Sequence, residues 1–373
     1  MRYRITHITP AQLADALALR DLADPAAGRH CLQQLAVSAA DALVAAWGSD
    51  RLTWAGERIV MVADNYDALG YPADGPARNA RHTRYVTDTT LLRTQTSAAI
   101  PPVLRALAAA PPEDVLIEVP GLTYRRDVID RLHVGEPHQL DLWRICRAPM
   151  TADDLGEMVA TVVDALLPGA RWRALPAVHP YTLDGLEVEV LQDGAWVELL
   201  ECGLAHPHVL AAAGLPGHSG LAMGLGLDRA TMLRKRIPDI RLLRSGDPRV
   251  ASQMLDLRPY RPVSAQPAAR RDLSVARAPG ADAEALGDLV RSSLSAEEVG
   301  WIEEVALLSR TPAAELPDSA RRRMGIAEHH ENLLVRLVLR HPTRSLSKPE
   351  ANRLRDRVYA ALHQGACHEW SAA

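Results

Sequence analysis

GLTYRRDVIDRLHVGEPHQLDLW, residues 121–143, decides how the rest of the chain is read. With their neighbours, DVLIEVPGLTYRRD (114–127) and HQLDLWRICR (138–147) form two apolar runs joined by a longer loop at 128–137. They read as an antiparallel strand pair. Period-two geometry puts Gln139, Asp141 and Trp143 on one face of the returning strand and Leu140 and Leu142 on the other. Arg125 and Arg126 stand at the end of the first strand and His133 lies in the loop. One face is therefore polar beside an Arg-bearing loop, and a planar guanidinium is a natural clamp for phosphate. The same residues also suit a solvated hairpin laced with salt bridges.

Working outward, LEVEVL (186–191) and WVELLE (196–201) flank a turn at Asp193-Gly194 and predict a hairpin. Segments 57–63, 115–119, 138–146 and 195–202 are short, rich in Val, Leu and Ile, and bounded by Gly, Pro or Asp. Apolar spacing predicts helices over 30–47, 152–166 and 226–236. A strand-rich middle flanked by helices implies an α+β fold with an antiparallel sheet rather than a βαβ series.

Composition shifts at 258–269, inside RPYRPVSAQPAARR (258–271), which reads as a linker. Beyond it come a strand at 271–276, a helix at 281–294, strands at 299–308 and 332–340, and a helix at 346–363. Closed by a final strand, that is the ferredoxin-like βαββαβ order. The expected division is an N-terminal segment 1–29, a first domain 30–257, the linker 258–269 and a second domain 270–373.

The 373 residues carry a net charge of −4, with 47% hydrophobic and 24% charged residues, a normal globular mix. A histone-like basic protein is excluded, so any nucleic-acid contact must come from a local arrangement of Arg. The four cysteines, at 31, 146, 202 and 367, include no CxxC pair, which argues against a zinc ribbon and a disulfide framework and fits a reducing cytoplasm. No apolar run approaches the ~18 residues of a membrane span, and the start of the chain reads as neither signal peptide nor transit peptide. Lys occurs only at 235 and 348, a bias consistent with GC-rich coding, and Phe is absent altogether.

GHSGLAMGLGLDRATMLRKRIPDIRLL (217–243) is the second informative stretch. Gly224 and Gly226 allow close backbone approach to a flat ligand, and Arg229 falls in the first turn of a helix. A cation there opposes the helix dipole, so an anion is expected nearby. Without a βαβ unit around it, the glycine pattern is not a Rossmann fingerprint.

NYDALGYPADGPARN (65–79), LLRTQTSAA (91–99), TYRRDVIDRLHVGEPHQLDL (123–142), WVELLECGLAHPHVL (196–210) and GLAMGLGLDRATMLRKRIPDIRLL (220–243) follow one another in an order that resembles the catalytic domain of phenylalanyl-tRNA synthetase, a class II aminoacyl-tRNA synthetase. RRDLSV (270–275) and VRLVLRHPTRSLSKPEANRLRDRVYAAL (335–362) resemble the same family's ferredoxin-fold anticodon-binding domain. The layout is most similar to the single-chain mitochondrial form. The resemblance implies ATP and Mg²⁺ as cofactors, an aromatic or related amino acid and tRNA as partners, no membrane, a cytoplasmic location, and a monomer or homodimer.

Carried over residue by residue, it implies that Arg125 binds the ATP α-phosphate, that Arg229 holds the γ-phosphate end of a bent nucleotide, and that His133 lies near the triphosphate. Glu198 would face ATP and Mg²⁺, with Met223 at the adenine-stacking position and Gly224 and Gly226 beneath the nucleotide. Ser97, Gln139 and Asp141 would receive the substrate α-amino group, and Gln95, His179, Tyr181 and Ala222 would complete the amino-acid site. In the second domain Arg340, Arg344, Arg353 and Arg357 would contact tRNA.

Departures concentrate in the amino-acid site. His179-Pro180-Tyr181 stands where family members show Phe-Pro-Phe, Gln95 and Ala99 replace two His, Asp141 replaces Glu, and Met223 replaces Phe. Imidazole and phenol need hydrogen-bond partners when buried, so these changes predict a preference for a polar or substituted aromatic amino acid over phenylalanine. Three readings of the missing Phe stay open: drift under compositional bias, synthesis that continues when charged Phe-tRNA is scarce, and a paralogue with another substrate. Two alternatives to the tRNA ligase are an amino-acid-activating ligase with a different acceptor and a catalytically weak regulatory paralogue. Retention of Arg125 with Arg229 argues against the regulator, and retention of the second domain argues against the other acceptor.

Overall fold

The computed structural model describes residues 6–126, 128–263 and 266–367. It divides into two compact units. The first comprises residues 1–125, 136–237 and 253–260; the second comprises 126–135, 238–252 and 261–373. The segments 126–135 and 238–252, expected within the first domain, thus cluster with the C-terminal residues. Of the expected linker, residues 264 and 265 lie outside the described ones.

In the first unit the strands are β1 (Asp50–Thr53), β2 (Ile59–Met61), β3 (Thr90–Leu92), β4 (Asp114–Leu122), β5 (His138–Cys146), β6 (Trp172–Pro176), β7 (Thr182–Gln192), β8 (Ala195–Ala205) and β9 (Ser219–Gly226). Seven of them form one sheet in the order β1-β4-β5-β9-β8-β7-β6, while β2 and β3 pair separately. The large sheet is antiparallel except for β1 on β4, so the expected α+β architecture is found.

Local chemistry fixes the surrounding helices. Cys31–Trp47 starts at His30, whose ring accepts from the Leu32 N–H, and stops at Gly48 in the left-handed region at φ 64°. Its buried stripe is Leu32, Leu35, Ala36, Ala39, Ala40 and Leu43. Ala152–Leu166 opens with a Thr151/Asp154 capping box, and these two helices pack on each other and against the sheet. The Asp193-Gly194 turn carries positive φ at both residues, as a tight hairpin with right-handed strand twist requires.

One sheet face is covered at one end by apolar packing. Ile117, Trp143 and Ala222, matched across β4, β5 and β9, pack with Ile100, Val103 and Leu104 of the helix Ile100–Leu107 and with Val209 and Leu210 of the helix Pro207–Ala212. Near the end of β4 a guanidinium is buried. Arg93, 1% exposed, donates from Nε to the Leu122 carbonyl and from Nη1 to the Ala55 carbonyl. Asp21 accepts the Leu122 N–H at 2.9 Å and lies close enough to favour the charged Arg93, whose pKa burial lowers.

The second unit contains β10 (Ala269–Arg277), β11 (Ile302–Pro312) and β12 (Glu331–Leu339) in the order β10-β12-β11, all antiparallel. Helices Ala283–Ser293 and Lys348–Leu362 bury Leu286, Val290, Leu354 and Val358 in a core with Leu273, Val275, Val335 and Leu337. The β-α-β-β-α part of the expected order is present among the described residues. A closing strand does not occur over 363–367, and 368–373 lie outside the described residues.

Gly121 has φ 151°, and a Cβ added there would stand 2.0 Å from Arg93 Nη2. Gly121→Ala must strain its own backbone and displace a buried cation. Urea unfolding should show a loss of about 3 kcal/mol or more; an unchanged midpoint would mean that Arg93 is not locked at this strand end.

Candidate active site

Cross-strand register assembles the site. Val119, Asp141, Gly224, Glu201 and Glu187 form one row across β4, β5, β9, β8 and β7, with their side-chain positions on the same face. Gln139 pairs with Gly226 and Trp143 with Ala222 in the adjoining rows. A Cβ at Gly224 would meet nothing within 4 Å, so the floor of the face is open at that point.

The opposite parity takes Met223 away from this floor. Its partners are Leu142 and Cys202, and all three are almost fully buried on the other face. Met223 is therefore a core residue, which corrects its expected place against adenine.

A register shift supplies a second carboxylate. Val188 pairs with Leu200, but Glu189 pairs with Glu198, so Leu199 is an extra residue in β8. Without it Glu198 and Glu201 would point to opposite faces; with it they share one. Leu199 and Leu200, both buried, break the alternation that sequence patterning relies on. Glu198 then accepts from Arg229 Nη1 at 3.1 Å through Oε2 and at 3.2 Å through its carbonyl. The anion expected beside Arg229 at the start of the helix Leu227–Lys235 is thus Glu198, with Asp228 in the same first turn.

Asp228 is held by His138. The fully buried imidazole accepts the Leu22 N–H at Nε2, 2.9 Å, so its ring proton is on Nδ1 and donates to Asp228 at 3.0 Å. The His138 backbone N–H also donates to Asp228. Arg125 is exposed at the end of the first strand, and its charge is felt at Tyr66, Tyr71 and Glu201.

At the other side of the floor Asp141, 2% exposed, accepts from Thr96 Oγ1 at 2.5 Å, Ser97 Oγ at 2.7 Å and Trp143 Nε1 at 3.1 Å. Burial raises its pKa, and the three donors oppose that rise. Gln139 Oε1 takes the Thr96 N–H at 3.3 Å. Gln95 is spanned by the Tyr71 hydroxyl and the Asn65 carbonyl. Tyr181 stacks on Trp143 with ring centres 5.9 Å apart and lies 6.2 Å from Tyr71 and 5.9 Å from the His179 ring. His179 Nε2 reaches Glu201 Oε1 at 3.2 Å. Burial pushes Tyr71 up to about 12, so its phenol stays protonated.

Gln95, Ser97, Gln139, Asp141, His179, Tyr181 and Ala222 are thus gathered on or beside one sheet face, with Gly224, Gly226 and Glu198 on its neighbouring strands and Arg229 on the helix that follows β9. His133 is bonded to Asp130 at 2.8 Å on the 126–135 segment, within the second unit. Of the proposed tRNA contacts, Arg340 pairs with Glu303, Arg344 with Glu350 at 2.7 Å and Arg357 with Glu298 at 2.6 Å. Arg353 is exposed and has no partner among the described residues. Sequence reading assigned no site role to Trp143, Tyr71, His138, Asp228 or Glu201. The last was hidden by the bulge; His138 and Asp228 carried a readable signal, as polar residues beside positions expected to be buried.

All four cysteines are free, and burial pushes Cys31 to about 11 and Cys202 to about 12. Among the described residues no helix is long and apolar enough to cross a membrane, and no three His, Cys, Asp or Glu side chains form a ready-made metal cage.

The Glu201 carboxyl sits below the usual range because of its hydrogen bond to His179, helped by the charges of His179 and Arg125. Its stabilising contribution is present above the ordinary carboxyl value of about 4.3 and is lost as pH falls through the lowered one. Unfolding measured between pH 5 and pH 3 should therefore show the stability advantage of the parent over Glu201→Gln shrinking; a constant difference would show that the carboxylate is not held as an anion.

Residues 22–254 match the family model described as tRNA synthetases class II core domain (F). The chain is 35% identical over 238 residues to the phenylalanine–tRNA ligase alpha subunit of Mycobacterium avium, covering 60% of this chain and 67% of that one. It is 33% identical over 191 residues to the corresponding subunit of Nostoc punctiforme, covering 51% and 56%. The chain thus spans between 56% and 67% of these relatives' length. Among solved structures, pyrrolysyl-tRNA synthetase from Desulfitobacterium hafniense is similar at TM-score 0.47 and 19% identity, over 58% of this chain and 74% of that one.

Proposed function

The chain belongs to the family of class II tRNA synthetase core domains, in its phenylalanyl branch, and from that premise we propose that it activates an amino acid with ATP and transfers it to tRNA. The observation that carries the reading is the open floor at Gly224, whose row partner Glu201 feels the charge of Arg125, together with Arg229 held by Glu198. A triphosphate needs cations along its length, and an amino acid needs polar groups beside them; the partly exposed Gln139 supplies one, backed by the buried Thr96, Ser97 and Asp141.

No protein nucleophile is required. The amino-acid carboxylate attacks the α-phosphorus, an aminoacyl adenylate forms and pyrophosphate leaves. Arg125 spreads the charge that develops on the phosphorus oxygens, while Arg229 orients the leaving pyrophosphate. Mg²⁺ neutralises phosphate charge when bound, and Glu198 and Glu187 are the carboxylates suited to it. Mg²⁺ ordinarily takes one or two carboxylates together with phosphate oxygens and water, so the absence of a ready-made cage among the described residues is compatible with it. The like-charged neighbours Glu198, Glu189 and Glu201 help burial to raise the Glu187 pKa, a tension that a cation relieves. We place the protein in the cytoplasm, as a monomer or homodimer.

Removing one cation from such a site typically costs 10²–10³ in rate. Arg125→Ala and Arg229→Ala should each lower ATP–pyrophosphate exchange by about that factor. If both variants exchanged at the parent rate, the site would be assigned wrongly.

The second unit is read as the ferredoxin-like tRNA-binding part. With Arg340, Arg344 and Arg357 each held by a carboxylate, Arg353 and the exposed Arg322 and Arg323 of the helix Asp318–Met324 are the side chains best placed to meet phosphate. Phosphate contacts release counterions. Binding of tRNA by the full chain should weaken steeply with salt, and Arg353→Ala with Arg322→Ala should flatten that dependence by about one to two units of the log–log slope. An unchanged slope would remove these arginines from the interface.

A further inference from the structure

The groups around the amino-acid end of the floor differ in how fully they are used. Asp141 lies beneath the surface with three donors already on it, and Gln95 is bonded through both its oxygen and its nitrogen. Glu201 stands next to Gly224 in the same row, with its side chain 43% exposed. His179 takes one of its carboxylate oxygens, and among the described residues no second hydrogen-bond or ion-pair partner meets it. The surrounding walls are rings: Tyr181 on Trp143, with Tyr71 and His179 beside it. The Tyr71 hydroxyl is committed to Gln95 and the Tyr181 hydroxyl lies against Ser97, which leaves the Glu201 carboxylate as a partly exposed acceptor at the ring-lined side.

We propose that the amino acid taken by this site is an aromatic one whose ring carries a hydrogen-bond donor, an amine or a hydroxyl, and that the Glu201 carboxylate, steered by His179, reads that donor. The proposal rests on the aminoacyl-adenylation reading and adds the substrate class to it. An aromatic ring satisfies the Tyr181 and Tyr71 walls by stacking and edge contact, with the fully buried Trp143 backing Tyr181. A donor at its far end replaces the water that Glu201 loses when the pocket fills. A plain phenyl ring strips the same water and returns nothing, and a pocket built to hydrogen-bond its substrate discriminates strongly against an analogue lacking the group. Hydrogen bonding to His179 keeps the carboxyl ionised near neutral pH, so it accepts and does not donate.

The test uses the full chain and four amino acids: 4-amino-L-phenylalanine, L-tyrosine, L-phenylalanine and 4-fluoro-L-phenylalanine. Binding is measured by calorimetry and activation by ATP–pyrophosphate exchange. The two donor-bearing amino acids should bind at least about tenfold tighter than the two without a donor. Glu201→Gln should bring all four within about threefold of one another. Equal binding of the four by the parent protein overturns the proposal, and that result needs no variant to fold. A Glu201→Gln variant that weakens phenylalanine and 4-aminophenylalanine alike also overturns it, because Glu201 would then be reading the α-amino group common to both. Donor-selective binding that Glu201→Gln abolishes supports the proposal even without exchange, and the absence of exchange would count against the ligase reading alone.

Discussion

His138 holds together the elements from which the site is made. An imidazole with no exposed surface must satisfy both ring nitrogens inside the protein, and only one proton is available to do it. The Leu22 N–H fills Nε2, which leaves the proton on Nδ1 for Asp228. Three distant stretches of chain are thereby fixed: residues near 22, the start of β5, and the first turn of the helix that carries Arg229. If any of the three drifted, a buried polar atom would be stranded, at a typical cost of about 1–3 kcal/mol. Arg93 and Asp21 repeat the arrangement one strand away, at the end of β4. This end of the floor is therefore bounded by groups whose bonds are already made, which is what preorganisation of a site demands.

Between these anchors the working face is defined as much by missing side chains as by present ones. Gly224 and Gly226 clear the floor, and Ala222 and Gly203 keep the adjoining row low. Polar groups are then divided between two tasks. Thr96, Ser97 and Trp143 spend their hydrogens on Asp141 and make a rigid buried cluster, while Glu198 and Arg229 form a partly exposed pair. Partly exposed ion pairs contribute little to stability, so exchanging one costs the fold little.

The elements read most accurately from sequence are those with a complete local signal. The helix 152–166 has its capping box and an unbroken apolar stripe, and β5 has strict alternation from His138 to Cys146. β9 went unread as a strand because SGLAMGLG contains three glycines, residues that depress strand propensity for the same reason that they open the floor. Parity alone would have moved Met223 to the core, had β9 been recognised. The parallel partner β1 and the exposed edge strand β6 lack any alternation of burial to read. In the second unit, two of the arginine pairings are invisible to local reading because the carboxylate is distant in sequence: Glu303 lies 37 positions from Arg340 and Glu298 lies 59 from Arg357.

The extra residue at Leu199 also bears on how this protein can change over generations. Glu198 and Glu201 share a face only because one residue is looped out between them, and Leu199 and Leu200 are interchangeable with many apolar residues of similar size. Substitution in that stretch leaves the count of residues intact and so preserves the polarity of the face. Loss of a single codon there would turn Glu198 inward and send Arg229 in search of another anion, with every remaining amino acid unaltered. β8 is thus a strand in which exchange of one apolar residue for another between its two acidic residues costs less than a change in their spacing, because that spacing sets the face they share.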